Sequence, residues 1–110
     1  MAVKIILSAD AQEFIERQEV RVQDKILLNI QYIEEGIISR ELFKKLKGTE
    51  VWELRTQYGG IAYRILAFWD KNKRSLVIAT HGFIKKSAKT PAREIARAEK
   101  IMNEYYNTQK

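Results

Sequence analysis

The sequence predicts an α+β domain whose elements follow the order β-α-α-β-β-β-α. Apolar residues recur at steps of three and four over residues 22–37, which is typical of one face of a helix. Between residues 51 and 83, short apolar runs are separated by glycine-rich or polar turns, as in an antiparallel meander. A Thr-Pro pair at 90–91 then predicts the start of a C-terminal helix.

The N-terminal forty residues contain the first strand and two helices. Val3–Leu7 is a short β-branched run and predicts a strand. Asp10 and Glu13 have the spacing of a capping box, so the first helix is predicted to begin near Asp10. Its inward residues are expected to be Ala11, Phe14 and Ile15.

The second helix is predicted from one apolar stripe that ends near Gly36. The stripe consists of Val22, Ile26, Ile30, Ile33 and Ile37. Ser39–Lys47 is expected to add a short turn of helix, which Gly48 ends. Its inward residues would be Leu42, Phe43 and Leu46.

Three strands and a last helix complete the predicted domain. The strands are Val51–Arg55, Ile61–Trp69 and Leu76–Phe83, joined by turns at Gln57–Gly60 and Asp70–Arg74. Strict alternation in the first strand places Trp52 and Leu54 on one face and Glu53 and Arg55 on the other. Thr90 is predicted to cap the last helix and Pro91 to occupy its first position. The apolar face of that helix would be Ile95, Ala98, Met102 and Tyr105.

Length and composition limit the possible classes of protein. The 110 residues are expected to form a single domain, 1–110. The absence of cysteine excludes disulfide scaffolds, thiol catalysis and cysteine-bound zinc, and the single histidine excludes a histidine metal cluster. The apolar run at the N-terminus is too short for a signal peptide, and no stretch is long enough for a membrane span. We therefore expect a cytoplasmic protein that needs no metal or other cofactor.

The net charge of +6 is concentrated in the middle of the chain. Residues 1–37 have a net charge of −3, residues 38–93 have +9, and residues 94–110 have none. A solvated basic face is the simpler interpretation of such an excess. Because the cations are interleaved with aromatic residues in one folded segment, a polyanionic partner is the favoured one.

Arg55 and Arg64 are the strongest candidates for chemistry. They lie in adjacent predicted strands on either side of the Tyr58-Gly59-Gly60 turn. An ion pair of Arg64 with Glu53 across the sheet is one explanation. The functional alternative is that both guanidiniums project from one face and bind phosphate, which the planar donor fork of arginine suits.

The end of the third strand supplies further candidates. Lys85 and Lys86 are followed by Ser87, Lys89 and Thr90 before the helix begins, and such a loop is either an anion site or an ordinary basic loop. His81 is either a half-buried structural residue or a general acid or base.

Several motifs resemble the phage Gp49-like, HigB-type branch of the RelE/ParE toxin superfamily over residues 42–105. They are Leu46-Lys47-Gly48, Val51-Trp52-Glu53-Leu54-Arg55, Tyr58-Gly59-Gly60, Tyr63-Arg64-Ile65-Leu66, His81-Gly82-Phe83-Ile84-Lys85-Lys86 and Lys89-Thr90-Pro91. The resemblance implies a RelE-like fold, with a helical pair packed on a twisted antiparallel sheet. It also implies a toxin held inactive by a cognate antitoxin, typically a helix-turn-helix (HigA-like) protein, in a hetero-oligomeric complex.

The ribonuclease members of this superfamily cut messenger RNA on the ribosome without a metal. The ribose 2′-OH attacks the adjacent phosphate, so the site needs a base, an acid and cations that stabilise the phosphorane. Under this resemblance the catalytic candidates are Arg55, Arg64, Lys86, His81 and Glu53. The RNA-binding candidates are Lys85, Lys89, Tyr58 and Lys47. Two alternatives stay open: a ParE-like toxin that poisons gyrase, and a non-catalytic nucleic-acid-binding module.

Overall fold

A computed structural model describes residues 2–109 of the chain, which form one mixed five-stranded sheet with three helices. The elements in chain order are β1 (Lys4–Leu7), α1 (Ala9–Glu16), α2 (Val20–Glu34), β2 (Phe43–Lys45), β3 (Trp52–Tyr58), β4 (Ile61–Trp69), β5 (Leu76–Lys85) and α3 (Ala92–Asn107). The strand order is β1-β5-β4-β3-β2. The α+β class is therefore confirmed, with one strand more than the sequence predicts. None of the helices in residues 2–109 is long and apolar enough to span a membrane.

The sequence predicts an antiparallel sheet, but the observed sheet is mixed. β1 runs parallel to β5, while β2 to β5 form the antiparallel meander. The two helices carry the chain from β1 to the opposite edge of the sheet, so that β1 is left beside the last strand of the meander. β1 pairs with residues 76–79 only, so no strand within residues 2–109 pairs with the second half of β5 on that side.

The N-cap of the first helix lies two residues before Asp10, the cap that the sequence predicts. This N-cap is Ser8, whose hydroxyl accepts a hydrogen bond of 3.1 Å from the Ala11 amide and donates one of 2.6 Å to the Thr80 carbonyl. Asp10 lies inside the first turn, where its charge suits the helix dipole but its side chain is not the cap. The capping box is therefore wrong, whereas the predicted inward residues of this helix are all buried.

Two expectations for residues 35–47 are also wrong. α2 ends at Glu34, and Gly36 follows with φ 95°, so the apolar stripe does not extend to Ile37, which is 51% exposed. Residues 43–45 form the edge strand β2 instead of a helical turn. Pairing with the start of β3 satisfies their backbone groups, and this tertiary contact outweighs local helix propensity.

The meander is confirmed, although β3 continues to Tyr58, three residues past its predicted end and into the predicted turn. β4 spans the predicted nine residues, and Gly59 and Gly60 make the tight turn before it with φ of 58° and 78°, values that glycine adopts without strain. β5 continues to Lys85, two residues further than predicted. Its pairing with β4 shifts register between Leu66 and Ala67, where β5 has one extra residue.

Helices cover both faces of the sheet. The inner face packs against α1 and α2 and carries Leu54 and half-buried Trp52, as the alternation predicts. The outer face carries Val51 and Leu66, which pack against Ala98 of α3. The other predicted apolar residues of α3 are half-buried. Thr90 does not cap α3, whose N-cap is Pro91 without a side-chain hydrogen bond.

Candidate functional site: an arginine pair on a buried glutamate

Arg55 and Arg64 lie directly opposite each other in the register of β3 and β4. Side chains of directly opposed residues point to the same face of a sheet, which here is the outer face. Glu53 precedes Arg55 by two residues in β3 and therefore shares that face. The Nε atoms of Arg55 and Arg64 each lie 3.7 Å from the Glu53 Oε1 atom. One carboxylate thus faces two guanidiniums.

Glu53 is an interior residue, since its side chain is only 2% exposed. Its other carboxylate oxygen accepts a hydrogen bond from the Thr90 hydroxyl, which ties the loop before α3 to the sheet. Within residues 2–109, the buried Nε atoms of Arg55 and Arg64 have no hydrogen-bond partner, so Glu53 compensates them by charge alone. The ion pair and the shared face, which the sequence offered as alternatives, are both present.

The outer ends of the two guanidiniums border an open cleft. Arg55 Nη1 donates a hydrogen bond of 3.0 Å to the Arg40 carbonyl, and Arg64 Nη1 donates one of 3.1 Å to the Tyr63 carbonyl. The cleft has a volume of about 380 Å³ and is lined by both arginines together with Lys25, Asn29, Glu41, Leu42, Thr56 and Gln57. The Arg55 side chain is 25% exposed and that of Arg64 is 8% exposed, so an anion entering the cleft meets Arg55 first.

Two lysines extend the arginine pair into a cation row of Lys44, Arg55, Arg64 and Lys85, one from each of the strands β2 to β5. Burial is the main cause that lowers the pKa of Lys85; Arg64, Arg55 and Lys44 lower it further, while Glu53 opposes the shift. Burial and Arg55 also lower the pKa of Arg64 against the effect of Glu53. Two of the four cations lie 3.7 Å from the Glu53 carboxylate, so the row keeps a net positive charge, which favours a polyanion.

His81 lies under α3 and does not belong to the cation row. Its Nε2 atom is 3.0 Å from the Glu94 Oε1 atom, and its Nδ1 atom is 3.0 Å from the Thr80 hydroxyl. In the register of the sheet, Leu66 stands between Glu53 and His81. The His81 side chain is 2% exposed, so the histidine is fully buried and not half-buried as its simpler interpretation supposes.

Burial of His81 predicts a stability that falls on the acid side of neutrality. Burial lowers the pKa of His81 from its ordinary value of 6.5, although Glu94 opposes the shift. The folded chain therefore binds this proton less tightly than the unfolded chain. The stabilisation is complete above about pH 6.5 and is lost progressively as the pH falls below it. Urea unfolding between pH 7.5 and 5 should show this fall, and a smaller one for His81→Gln; equal slopes for both proteins would contradict it.

The remaining predicted site residues lie apart from the cation row. Lys86 is exposed and lines a groove between α1 and α3, while Lys89 is exposed in the loop before α3. Lys47 is exposed between β2 and β3. Tyr58 is half-buried and packs against the inner-face core, on the opposite side of the sheet from the arginines. Among residues 2–109, no three acidic or histidine side chains come together as a metal site.

Sequence reasoning missed the contributions of Thr90, Lys44 and Asn29. The sequence predicts Thr90 as a helix cap, whereas its hydroxyl donates to Glu53. It predicts Lys44 as part of a helix, whereas Lys44 lies opposite Glu53 in the strand register. Asn29 is buried on α2, and its amide donates a hydrogen bond of 3.1 Å to the Thr56 hydroxyl. This bond fixes α2 against β3. A polar residue directly before Ile30 of the apolar stripe was the signal for it.

Residues 13–103 match the family model described as "Phage derived protein Gp49-like (DUF891)". The chain belongs to this Gp49-like family. A comparison with curated proteins gave no significant match. The membership confirms the Gp49-like part of the resemblance drawn from the motifs. The matched residues include the whole meander, with Glu53, Arg55, Arg64 and Lys85.

Solved structures agree on the fold of this Gp49-like chain. A mutant of the Escherichia coli toxin RelE in the free state is similar with a TM-score of 0.65 and 15% identity, covering 91% of this chain and 97% of that one. The toxin–antitoxin complex RelBE2 from Mycobacterium tuberculosis contains a chain with a TM-score of 0.51 and 18% identity, covering 77% of this chain and 100% of that one. The fold is therefore RelE-like.

Proposed function

We propose that this Gp49-like chain is the toxin of a type II toxin–antitoxin system. The proposed activity is that of a ribosome-dependent endoribonuclease, in which the ribose 2′-OH of messenger RNA attacks the adjacent phosphate. The observation that carries the proposal is the cation row beside the open cleft, with its two arginines held on buried Glu53. A cognate antitoxin of the HigA-like, helix-turn-helix kind is the proposed partner.

In this proposal the arginine pair stabilises charge on the phosphorane. A phosphate gains negative charge as the 2′ oxygen adds to it, and fixed cations lower the energy of that state more than that of the bound substrate. Arg55 and Arg64 suit this role because Glu53 orients both before any ligand arrives. Their donor forks match two phosphate oxygens.

Lys85 is the proposed proton-transfer group. Its lowered pKa brings the amine closer to the range in which it exchanges a proton near neutral pH, and it shares the outer face with the arginines. Burial favours a positioning role for Glu53 and a packing role for His81, since both side chains are only 2% exposed. Lys86, Lys89 and Lys47 are exposed and suit contacts with the flanking RNA or the ribosome.

Controlled expression of the chain in a bacterium tests the activity. Growth should stop, and mapping of messenger RNA 5′ ends should reveal new ends inside translated codons. In a purified translation system, Arg64→Ala should cut message about 100-fold more slowly, the loss expected when one charge-stabilising donor is removed. Lys73→Ala, which removes an exposed cation from the β4–β5 turn, is the matched control and should leave the rate unchanged.

The same experiment separates the alternatives. Growth arrest with intact messages and altered plasmid supercoiling would indicate a gyrase poison in place of a ribonuclease. Normal growth together with RNA binding by the purified protein would indicate a non-catalytic binding module.

A further inference from the structure

The second half of β5 is an open strand edge. β1 covers only residues 76–79 of β5, so residues 81–85 pair with β4 on one side and with no strand of residues 2–109 on the other. Successive residues of a strand direct their backbone groups alternately to its two sides. The alternation after the irregularity at Thr80 therefore determines which groups face this open edge.

Two parts of the structure identify those groups as the amides and carbonyls of Gly82 and Ile84. On the β1 side, the Thr80 carbonyl accepts a hydrogen bond from the Ser8 hydroxyl, and the residues two and four positions later point the same way. On the β4 side, Phe83 lies opposite Arg64.

The register of β3 supports the same assignment. The Arg55 amide donates a hydrogen bond of 2.8 Å to the Leu42 carbonyl, on the side of β3 that faces away from β4. Arg55 and Arg64 are therefore a non-hydrogen-bonded pair in the ladder between β3 and β4. Arg64 consequently directs its backbone groups toward Phe83. The two neighbours of Phe83 in β5 must then direct theirs outward.

This open edge forms the floor of a groove, called here the edge groove, with a volume of about 570 Å³. Its lining is Phe14, Arg17, Gln18, Gly82, Phe83, Ile84, Lys86, Arg93 and Glu94. Phe14 packs directly on Gly82, where an added Cβ would lie 2.2 Å from the ring. Ile84 is 40% exposed, so the groove offers apolar surface as well as backbone groups.

The rim of the edge groove is basic. The side chains of Arg17 and Arg93 are 67% and 86% exposed, and Lys86 is also exposed. Glu94 is the one carboxylate among the lining residues, and it lies 3.0 Å from His81 and 3.9 Å from Arg93. Glu13 lies 3.6 Å from Arg17, so Lys86 and the excess of cations over carboxylates leave the rim positive. An acidic ligand complements this rim, whereas a second copy of the chain would bring the same cations against it.

We infer that the edge groove binds an extended acidic polypeptide segment of a partner protein, which pairs with Gly82 and Ile84 as an added strand. A peptide supplies backbone donors and acceptors that alternate at the spacing of the open edge, as an added strand requires. The inference does not depend on RNA cleavage, because the edge groove and the cleft beside Arg55 lie at different edges of the sheet.

Selection from a displayed library of random nine-residue peptides tests this inference. The target is the full chain, and the counter-selection target is Arg17→Glu/Lys86→Glu/Arg93→Glu. Enriched peptides should carry two or more carboxylates and bind the triple variant at least 10-fold more weakly. In amide hydrogen exchange, the best peptide should protect Gly82 and Ile84. Only every second amide of an added strand faces β5. N-methylation of that set should abolish binding, whereas N-methylation of the other set should leave it unchanged.

Controls exclude general charge effects and misfolding. Lys73→Glu/Arg74→Glu/Lys100→Glu changes the same number of exposed cations elsewhere and should bind the peptide as the parent does. Both triple variants should unfold cooperatively, the rim variant at a slightly lower temperature than the parent because Arg17→Glu replaces the surface pair with Glu13 by a repulsion. The inference is overturned if no acidic peptide is enriched or if protection appears elsewhere. It is also overturned if only a 12-nucleotide poly(U) RNA binds and the rim variant abolishes that binding, a result that would leave the ribonuclease proposal intact.

Discussion

Replacing Glu53 by Gln should lower the free energy of unfolding by about 3 kcal/mol, because removing one partner of a buried ion pair leaves an uncompensated charge in the interior. The substitution keeps the shape of the side chain and its ability to accept from Thr90. It removes the negative charge that faces the Nε atoms of Arg55 and Arg64 at 3.7 Å. We place the cost at the low end of the usual range because Arg55 is 25% exposed and can reach water.

Urea unfolding of the purified variants measures this loss. Glu50→Gln is the matched control, since Glu50 pairs with Lys45 at 3.8 Å on the surface and its side chain is 65% exposed. That change should cost less than about 0.5 kcal/mol. An equally small cost for Glu53→Gln would contradict the role given to the buried carboxylate.

A double-mutant cycle identifies the partner of Glu53. If Glu53 compensates Arg64, then Arg64→Met should destabilise the parent but restore stability to Glu53→Gln, because it removes the stranded charge. We expect a coupling of about 1–3 kcal/mol between the two positions. Additive effects would show that Arg55 or solvent, and not Arg64, balances the carboxylate.

The meander was predictable because its signals are local. Gly59 and Gly60 permit a tight turn by their own conformational freedom, and the alternation of Trp52 and Leu54 with Glu53 sets the faces of β3. The sequence predicts this turn at Gln57–Gly60, whereas the structure confines it to Gly59 and Gly60, and the two-residue turn sets Arg55 opposite Arg64.

The elements that the sequence did not predict depend on contacts between distant segments. β2 exists because it pairs with β3, and Thr90 leaves the helix cap because the Glu53 carboxylate lies within its reach. The depth at which Glu53 is buried depends likewise on α3 covering the outer face. A contact between residues so far apart leaves no pattern in either segment, so the Glu53–Thr90 hydrogen bond could not be predicted from the sequence.

The geometry of the cation row is sensitive to mutations at distant positions. The arginines are fixed by a local turn, but their orientation depends on Glu53, Thr90 and the packing of α3. Changes far along the chain, at the start of α3, should therefore alter the geometry of the cation row without touching it directly.

Trp52→Ala should lower the free energy of unfolding by about 3 kcal/mol, since it deletes a large aromatic ring that packs against the inner-face core. Trp52 stacks on Phe43 with ring centroids 4.6 Å apart and meets Trp69 edge-on at 6.2 Å. The three rings join β2, β3 and β4, so the loss should also loosen the edge strand β2. Circular dichroism in urea is the suitable measurement, because the substitution removes one of the two tryptophan fluorophores.

Ile37→Ala is the informative comparison for Trp52→Ala. Helical periodicity places Ile37 in the core, whereas the structure ends α2 at Glu34 and leaves Ile37 51% exposed. Its truncation should therefore cost less than about 0.5 kcal/mol, as for other surface positions. A large loss at Trp52 with a small one at Ile37 supports both the strand register and the early end of the helix. The reverse order would mean that the helix continues past Gly36 and that β3 presents its other face to the core.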